Sequence, residues 1–294
     1  MTVLGSGNAN GGCSLLHAAG LGYGASLALD LPVKVRLLDK KSKRPFDDPN
    51  GLLDAVLDCW KNAGLNIPTG DLFWSVNSKI PPRQGLKSSA AVSVAAIKAL
   101  CDATEIVLEN ADIVDISAAA QLAAGVSLTG SYDDSWAAIE GGWKLIDANA
   151  PDARSGLLLE ATGPSSEDWT VIIVLRGDRT KMPQLEDFTS HQQAFSQALT
   201  ALQEGKDLVA LTLNARGVVG ALNDQDGRRM TNDAFVNGAR AAGISGSGPA
   251  IVIFAPAISR PSIERIIRWY EKIDDVEIIE TSVINANFAT TDEE

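Results

Sequence analysis

The sequence predicts an α+β protein built from two domains. Helix-forming and strand-forming stretches are mixed along its 294 residues, but long stretches lack the simple βαβ alternation of a doubly wound sheet. The stretch "DANAPDARSG" at 147–156 has the proline, aspartate and glycine content of a connection between domains, which puts the boundary near residues 147–165. We therefore predict an N-terminal domain of residues 1–155 and a C-terminal domain of residues 156–294.

Hydrophobic spacing and chain-breaking residues predict the elements of the first half. β-branched and alternating residues at 24–38 predict one long or bent strand. Asp48 and Pro49 are start signals for a helix that Gly64 ends. The next predicted elements are a strand at 71–81, the loop and alanine-rich helix of "PPRQGLKSSAAVSVAAIKAL" at 81–100, a helix at 110–124 and a strand at 141–147.

The second half resumes after the predicted connection with the apolar strand "WTVIIVL". A glycine-rich loop then leads into a buried strand in "GISGSGPAIVIF", residues 243–254. The other predicted elements of this half are helices at 184–204, 206–222 and 261–273 and a strand at 276–284.

Composition and charge exclude several partner classes. A hydrophobic content of 45% with 21% charged residues is typical of a soluble globular protein. The net charge of −12 repels nucleic acid and anionic membranes, so any phosphate recognition has to come from a local site. Three widely spaced cysteines favour reduced thiols, and the sequence lacks both a basic leader and an 18-residue apolar run. We expect a cytoplasmic protein without nucleic-acid or membrane partners.

The stretch from Gly85 to Ser89 carries the first candidate site. Gly85 permits close backbone approach, and Ser88 and Ser89 add hydroxyls where the N–H groups of a helix start point outward. Lys87 is unusual there because a helix N-terminus already carries partial positive charge, so a negative group is expected nearby. A bound polyphosphate would supply that charge. The alternative is an ordinary serine N-cap beside a solvated lysine. The loop is not a Walker A motif, since Leu86 stands where glycine is needed.

Two further stretches could contribute to the same site. Gly246 and Gly248 of the second loop permit positive φ, and Ser245 and Ser247 offer short hydroxyls. By itself this loop is typical of a turn, but together with the first loop it could close one side of a phosphate site.

Asp133 and Asp134 form the next candidate pair, in "TGSYDDSWAAIEGG". Adjacent carboxylates could bind Mg²⁺, or one could accept a proton from a substrate hydroxyl. An Asx-turn or a helix cap is the alternative. His17 and His191 are too isolated for a metal site or a triad, and we expect both to be structural or surface residues.

Three motifs in this order resemble the GHMP kinases. "PPRQGLKSSAAVSVAA" is similar to their P-x-x-x-G-L-G-S-S-A-A phosphate loop, and "GISGSGPAIVIF" is similar to their third, glycine-rich motif. Within that superfamily the archaeal-type shikimate kinases look most similar, because their loop commonly reads G-L-K-S-S. Their T-G-x-x-D-D segment matches the aspartate stretch, and "GLGYGASLALDLPVKV" resembles their opening strand.

The resemblance implies a two-domain GHMP kinase fold, in which an N-terminal phosphate-loop domain and a ferredoxin-like C-terminal domain hold ATP between them. It places Asp134 as the general base, with Asp133 as a candidate Mg²⁺ ligand beside Ser88 and Ser89. The residues that it implies for nucleotide binding are Pro82, Arg83, Gln84, Gly85, Leu86, Lys87, Ser88, Ser89, Ala90, Ala91, Gly246, Ser247 and Gly248. ATP and Mg²⁺ are therefore the expected cofactors.

The function that this implies is phosphorylation of the 3-hydroxyl of shikimate in aromatic amino-acid biosynthesis. Homoserine kinase, mevalonate kinase and a non-catalytic nucleotide-binding protein are the alternatives. Arg176, Arg179 and Lys181 are candidates to hold the shikimate carboxylate, with surface solubilisation as the other reading. The sequence departs from the subgroup at Tyr23, where a lysine is common, and at Ala123, where some relatives carry a glutamate metal ligand. It does not predict the oligomeric state.

Overall fold

The computed structural model describes residues 2–42, 46–177 and 183–287, and its strands form two antiparallel sheets. The elements of the first half are β1 (Val3–Leu16), β2 (Tyr23–Leu38), α1 (Leu52–Asn62), β3 (Phe73–Ser78), α2 (Ser88–Thr104), α3 (Asn110–Ala123), α4 (Asp133–Ile139), β4 (Trp143–Asp147) and β5 (Leu157–Ala161). Those of the second half are β6 (Trp169–Leu175), α5 (Leu185–Thr189), α6 (Gln192–Gln203), α7 (Asp207–Leu222), α8 (Gln225–Val236), β7 (Ala241–Ile244), β8 (Ile251–Pro256), α9 (Arg260–Tyr270) and β9 (Glu277–Thr281). Mixed helices and antiparallel sheets confirm the α+β class.

The long strand β2 organises the first sheet, as its sequence pattern predicted. It pairs with β1 along most of its length, with β3 through residues 33–38 and with β4 through residues 23–27. β5 then adds to the free edge of β4. β2 therefore pairs with three of the other four strands of the sheet. Ser26 lies in the part of β2 that pairs with β4.

The glycine-rich opening of the chain forms β1, a strand that the sequence analysis did not predict. Glycine is needed there because the buried helix α2 packs directly on the strand. A Cβ atom at Gly5 would overlap the carbonyl oxygen of Ala99, and one at Gly7 would overlap that of Ala95. β1 thus needs small residues because α2 packs closely against it. Strand propensity does not predict such a strand, because glycine is rare in strands.

The second sheet has the strand order β7-β8-β6-β9. Along the chain its elements run as strand, helices, two strands, helix and strand, which is the β-α-β-β-α-β pattern of the ferredoxin-like arrangement. The predicted ferredoxin-like second half is therefore confirmed. The helix predicted at 184–204 is two helices, α5 and α6, separated at Ser190 and His191.

Helix α8 was missed because most of its residues are polar. The signals for it are nevertheless present. The side chain of Asp224 accepts a hydrogen bond from the N–H of Gly227 as an N-cap, and the buried residues recur at helical spacing.

The two halves of the chain are connected by more than the segment at residues 147–165. β5 begins after residue 155 yet belongs to the first sheet, so that sheet extends past the boundary we predicted. Val283 forms a β-bridge with Leu29, and the N–H of Ile284 donates to the carbonyl of Ala28. The chain therefore returns to the first sheet after β9, and the division at residue 155 stays a prediction.

Candidate active site

The loop before α2 has an unusual backbone. Arg83, Gly85 and Lys87 all have positive φ, at 60°, 78° and 64°. A Cβ atom at Gly85 would overlap the carbonyl oxygen of Ser245, so only glycine lets this loop lie against the second loop. The close approach that the sequence assigned to Gly85 is thus toward the protein's own backbone.

The start of α2 has no side-chain cap. Its N-cap residue is Lys87, in the left-handed region, and within the described residues this helix start has no side-chain cap hydrogen bond. Ser88 and Ser89 lie inside the helix and are half-buried, so the alternative of an ordinary serine N-cap is wrong. Uncapped N–H groups at the start of a long helix form a favourable position for an anion.

The two predicted loops meet at this point. Ser245 Oγ donates to the carbonyl of Gly85 at 2.8 Å, and the N–H of Ala250 donates to the carbonyl of Gln84 at 3.2 Å. Gly246 and Gly248 have φ of 53° and 69°, the positive values expected for them. The second loop therefore closes against the first, which favours the shared site over an isolated turn.

The Lys87 side chain points into the protein. Its Nζ lies 2.6 Å from Oδ1 of Asp134 and donates to Ser14 Oγ at 2.7 Å, and the side chain is only 8% exposed. The alternative of a solvated lysine is therefore wrong. The negative group that the sequence required beside this helix start is Asp134.

Ion pairing fixes the charge states of this pair. Burial opposes ionisation of Asp134, but the Lys87 ammonium and the hydrogen bonds to it outweigh burial and hold the pKa of Asp134 below its usual range. Burial likewise opposes the charge of Lys87, but Asp134 and Asp133 raise its pKa above the ordinary value. Both groups are ionised across the neutral range, so Asp134 is available as a carboxylate.

Asp133 and Asp134 occupy the first turn of α4, and Tyr132 is the N-cap without a side-chain cap bond. Ser26 Oγ lies 2.7 Å from Oδ2 of Asp133 and 2.8 Å from Oδ1 of Asp134, and Ser131 donates to Asp133 Oδ1. Burial and the charge of Asp134 raise the pKa of Asp133 to about 6. The pKa of Asp133 is therefore raised, whereas that of its neighbour Asp134 is lowered.

The remaining predicted nucleotide residues differ in what they present. Leu86, Ala90 and Ala91 are buried, so only their backbones could reach a ligand. The side chain of Gln84 is also buried, and its Nε2 donates to the carbonyl of Gly177 at 2.7 Å. Pro82 is exposed and leads into the loop.

His17 is a site neighbour that sequence reasoning missed. Its Nδ1 accepts a hydrogen bond from the N–H of Ala19, so Nε2 carries the proton and donates to Ser247 Oγ at 3.1 Å. Its ring lies 4.6 Å from that of Phe188, centroid to centroid. No local signal connects a lone histidine after β1 with a loop in the second half. Ser14 and Ser26 were missed for the same reason.

Arg176 is already occupied. Its Nε donates to the carbonyl of Pro249 at 2.7 Å, its guanidinium pairs with Asp224, and its side chain is 10% exposed. It therefore holds the glycine-rich loop and is not available to bind a substrate carboxylate. The other two candidates, Arg179 and Lys181, lie outside the described residues.

The expected metal ligands are only partly suited to Mg²⁺. Both oxygens of Asp133 accept hydrogen bonds from serine hydroxyls, and the residue is 4% exposed. Ser88 and Ser89 are more accessible, but Mg²⁺ in proteins is usually held by a carboxylate together with substrate phosphates. Within residues 2–42, 46–177 and 183–287, no three His, Cys, Asp or Glu side chains form a group that could hold a metal ion.

None of the helices in the described part of the chain combines the length and the apolar character needed to cross a membrane.

Known proteins resemble this chain in sequence. Residues 50–142 match the family described as GHMP kinases N terminal domain. The chain is 27% identical over 278 residues to the shikimate kinase of Pyrococcus furiosus, an alignment that covers 90% of this chain and 96% of the relative. It is 30% identical over 156 residues to that of Pyrococcus abyssi, covering 49% of this chain and 55% of the relative. The resemblance to the GHMP kinases is therefore confirmed.

Solved structures extend the resemblance over the chain. The mevalonate kinase of Methanococcus jannaschii has a TM-score of 0.72 at 16% identity and covers 95% of this chain and 98% of its own. The homoserine kinase of Cytophaga hutchinsonii has a TM-score of 0.64 at 19% identity and covers 96% of each chain. Identities this low show the fold alone, and that fold is the one that the three motifs implied.

Proposed function

We propose that this chain, which has the fold and the N-terminal domain of the GHMP kinases, transfers the γ-phosphoryl group of ATP to the 3-hydroxyl of shikimate. The products are shikimate 3-phosphate and ADP, as in aromatic amino-acid biosynthesis. The observation that carries the kinase chemistry is the ion pair of Lys87 and Asp134 beside the uncapped start of α2. The choice of acceptor is supported by relatives named shikimate kinase, whose identities to this chain are 27% and 24% over most of its length.

The residues at the start of α2 fit the phosphates of ATP. Among the residues that the structure describes, no side chain caps this helix start, and the loop of Gly246 to Gly248 lies against Gly85. We assign phosphate contacts to the main chain of residues 82–91 and 246–248, with Ser88 and Ser89 adding hydroxyls. When bound, ATP supplies the phosphoryl group that is transferred.

A protein-built Mg²⁺ site fits the chain less well than the nucleotide does. The oxygens of Asp133 are engaged by Ser26 and Ser131, which leaves the hydroxyls of Ser88 and Ser89 as the remaining candidates of the expected set. In this proposal these two serines contact a metal that arrives with the nucleotide, and Asp133 has a different part.

Catalysis in such a transfer depends mainly on positioning and on the balance of charge. Asp134 is 32% exposed, so a substrate hydroxyl can reach it while Lys87 and Ser26 fix its position. Ser14 of β1 accepts a hydrogen bond from the Lys87 ammonium and so helps to hold it in place. Asp134 orients the acceptor hydroxyl and takes its proton as the new P–O bond forms.

An enzyme-linked ADP-release assay tests the proposal. Shikimate, homoserine, mevalonate and no acceptor are compared at equal concentration, and the product is identified by mass. We expect release with shikimate far above the other three. Equal rates for all conditions would contradict the proposal, and preference for homoserine or mevalonate would move the activity to another kinase of the superfamily. ATP binding without ADP release would indicate a non-catalytic nucleotide-binding protein.

A further inference from the structure

The hydroxyl of Ser26 lies between two carboxyl groups. Its Oγ is 2.7 Å from Asp133 and 2.8 Å from Asp134, and the serine itself is fully buried. A hydroxyl has one hydrogen and two lone pairs, so it can donate to only one of the two groups at a time. The second contact becomes a hydrogen bond only when that carboxyl group carries a proton. The arrangement therefore has room for one more proton than Ser26 supplies.

The two carboxyl groups do not compete equally for that proton. Lys87 contacts Asp134, which is partly exposed, whereas Asp133 is buried and bonded to the serines at 26 and 131. The ammonium holds the pKa of Asp134 below its usual range, while burial and the charge of Asp134 raise that of Asp133 to about 6. A proton that arrives on Asp134 is therefore more stable on Asp133.

We propose that Asp133 is the final acceptor of the substrate proton and that the Ser26 hydroxyl passes it on from Asp134. The inference rests on the proposed function and deepens it. Asp134 first takes the proton of the acceptor hydroxyl, whose oxygen keeps the electron pair that forms the bond to phosphorus. The Asp134 carboxyl then gives its proton to Ser26 Oγ as Ser26 gives its own hydrogen to Asp133. Asp134 returns to a carboxylate and Asp133 becomes neutral, so protons and charge balance.

Other ionisable groups near the relay keep one charge state. Lys87 at the start of α2 stays charged, because its pKa is raised. Cys13 of β1 stays a neutral thiol, since burial raises its pKa to about 12. Asp133 is therefore the group whose charge changes in the weakly acidic range, and its protonation before the reaction removes the acceptor. Turnover of the wild type should fall as the pH drops through about 6.

Three variants test the relay through the pH dependence of kcat. Asp133→Asn can still donate to Ser26 but cannot accept a proton, and Ser26→Ala removes the link. We expect each to lower kcat about thirtyfold, with the KM for ATP changed less than about twofold, and to lose the fall near pH 6. Ser131→Ala is the matched control, because it removes a hydrogen bond from Asp133 without interrupting the relay. Its fall should move to higher pH while the plateau of kcat is kept.

Infrared difference spectra of the ligand-free proteins give a readout that does not need turnover. On lowering the pH through about 6, the wild type should gain the C=O band of a buried carboxylic acid, and Asp133→Asn should not. A band that persists in that variant, or a wild-type kcat profile in Asp133→Asn or Ser26→Ala, would overturn the relay. Asp134→Asn separates the two proposals: full turnover there overturns the base assignment itself, whereas its loss beside a fully active Asp133→Asn overturns only the relay.

Discussion

Two partly buried ion pairs lie at the two loops of the candidate site, and they differ in what else their carboxylates bind. Arg176 and Asp224 hold the glycine-rich loop, with side-chain exposures of 10% and 21%. Arg176 also donates to the carbonyl of Pro249, and Asp224 accepts from the N–H of Gly227 at 2.7 Å. Lys87 and Asp134 are 8% and 32% exposed; Lys87 donates to Ser14 Oγ, and Ser26 Oγ lies 2.8 Å from Oδ1 of Asp134.

In our proposal the Arg176 pair is structural and the Lys87 pair is functional. The Arg176 pair is completed by backbone groups and caps a helix, so its partners are all within the fold. Asp134 caps nothing and keeps a partly exposed edge that a substrate can reach. An ion pair thus holds the second loop in one place, and in our proposal an ion pair of similar chemistry positions the base in the other. Four substitutions test this contrast.

Lys87→Met has the largest expected effect on turnover. Without the ammonium the pKa of Asp134 rises and the charge beside the phosphates is lost, so we expect kcat for ADP release to fall about a thousandfold. Lys61→Met is the matched control, because Lys61 is half exposed and pairs with Asp58 at the surface. If the kcat of Lys87→Met stays within tenfold of the wild type, the functional role of the Lys87–Asp134 pair is contradicted.

Gly85→Ala should weaken ATP binding about a hundredfold, because the new Cβ overlaps the Ser245 carbonyl and separates the two loops. Gly51→Ala is a suitable control, since Gly51 also has positive φ, at 66°, but in the described part of the chain nothing beyond its neighbours lies within 4 Å of a Cβ built there. That control should lose only about 1 kcal/mol of stability. Calorimetric titration with ATP measures the difference, and equal affinities for the two variants would contradict the role of the loop contact.

Arg176→Met should act on stability more than on chemistry. It leaves the Asp224 carboxylate partly buried without its cation, and we expect a loss of about 3 kcal/mol in the free energy of unfolding. Urea unfolding measures this, and kcat should fall far less than in Lys87→Met. If the two variants lose turnover equally, the second pair is not merely structural.

The smallest effect is a pH dependence of stability. The folded pKa of Asp133, about 6, lies above its ordinary 3.8, so its charge destabilises the folded state above pH 6 and this penalty disappears toward pH 4. Asp133→Asn should therefore gain about 2 kcal/mol relative to the wild type on going from pH 4 to pH 8. Asp134 has the opposite sign, since its lowered pKa stabilises the folded state at neutral pH and loses that effect in acid. Parallel urea-unfolding stabilities of the two proteins across this range would contradict the assignment.

Part of this site could be predicted from the sequence. Gly246, Gly248 and the segment from Gly85 to Ser89 indicate their own backbone geometry, because positive φ and helix starts are local properties. The need for a negative partner near Lys87 followed from the charge of a helix N-terminus. Its identity as Asp134 did not, since that depends on how α4 packs against α2 and the first sheet.

The rest depends on tertiary contacts. Ser26 meets the aspartates because α4 packs against β2, and His17 meets Ser247 because the first sheet lies beside the second loop. β1 was missed because its glycines are chosen for contact with α2 and not for strand propensity. Residue patterns alone predicted only the α+β class. The GHMP kinase fold, with its ferredoxin-like second half, was predicted from the resemblance of the motifs.

In our proposal Asp134 is the base beside a nucleotide held at the start of α2. The most direct test measures ATP affinity and shikimate-dependent ADP release for Asp134→Ala and the wild type. We predict that the variant binds ATP within about threefold of the wild type but shows no ADP release above the no-acceptor rate. Turnover at the wild-type rate in Asp134→Ala would contradict the assignment of Asp134 as the base.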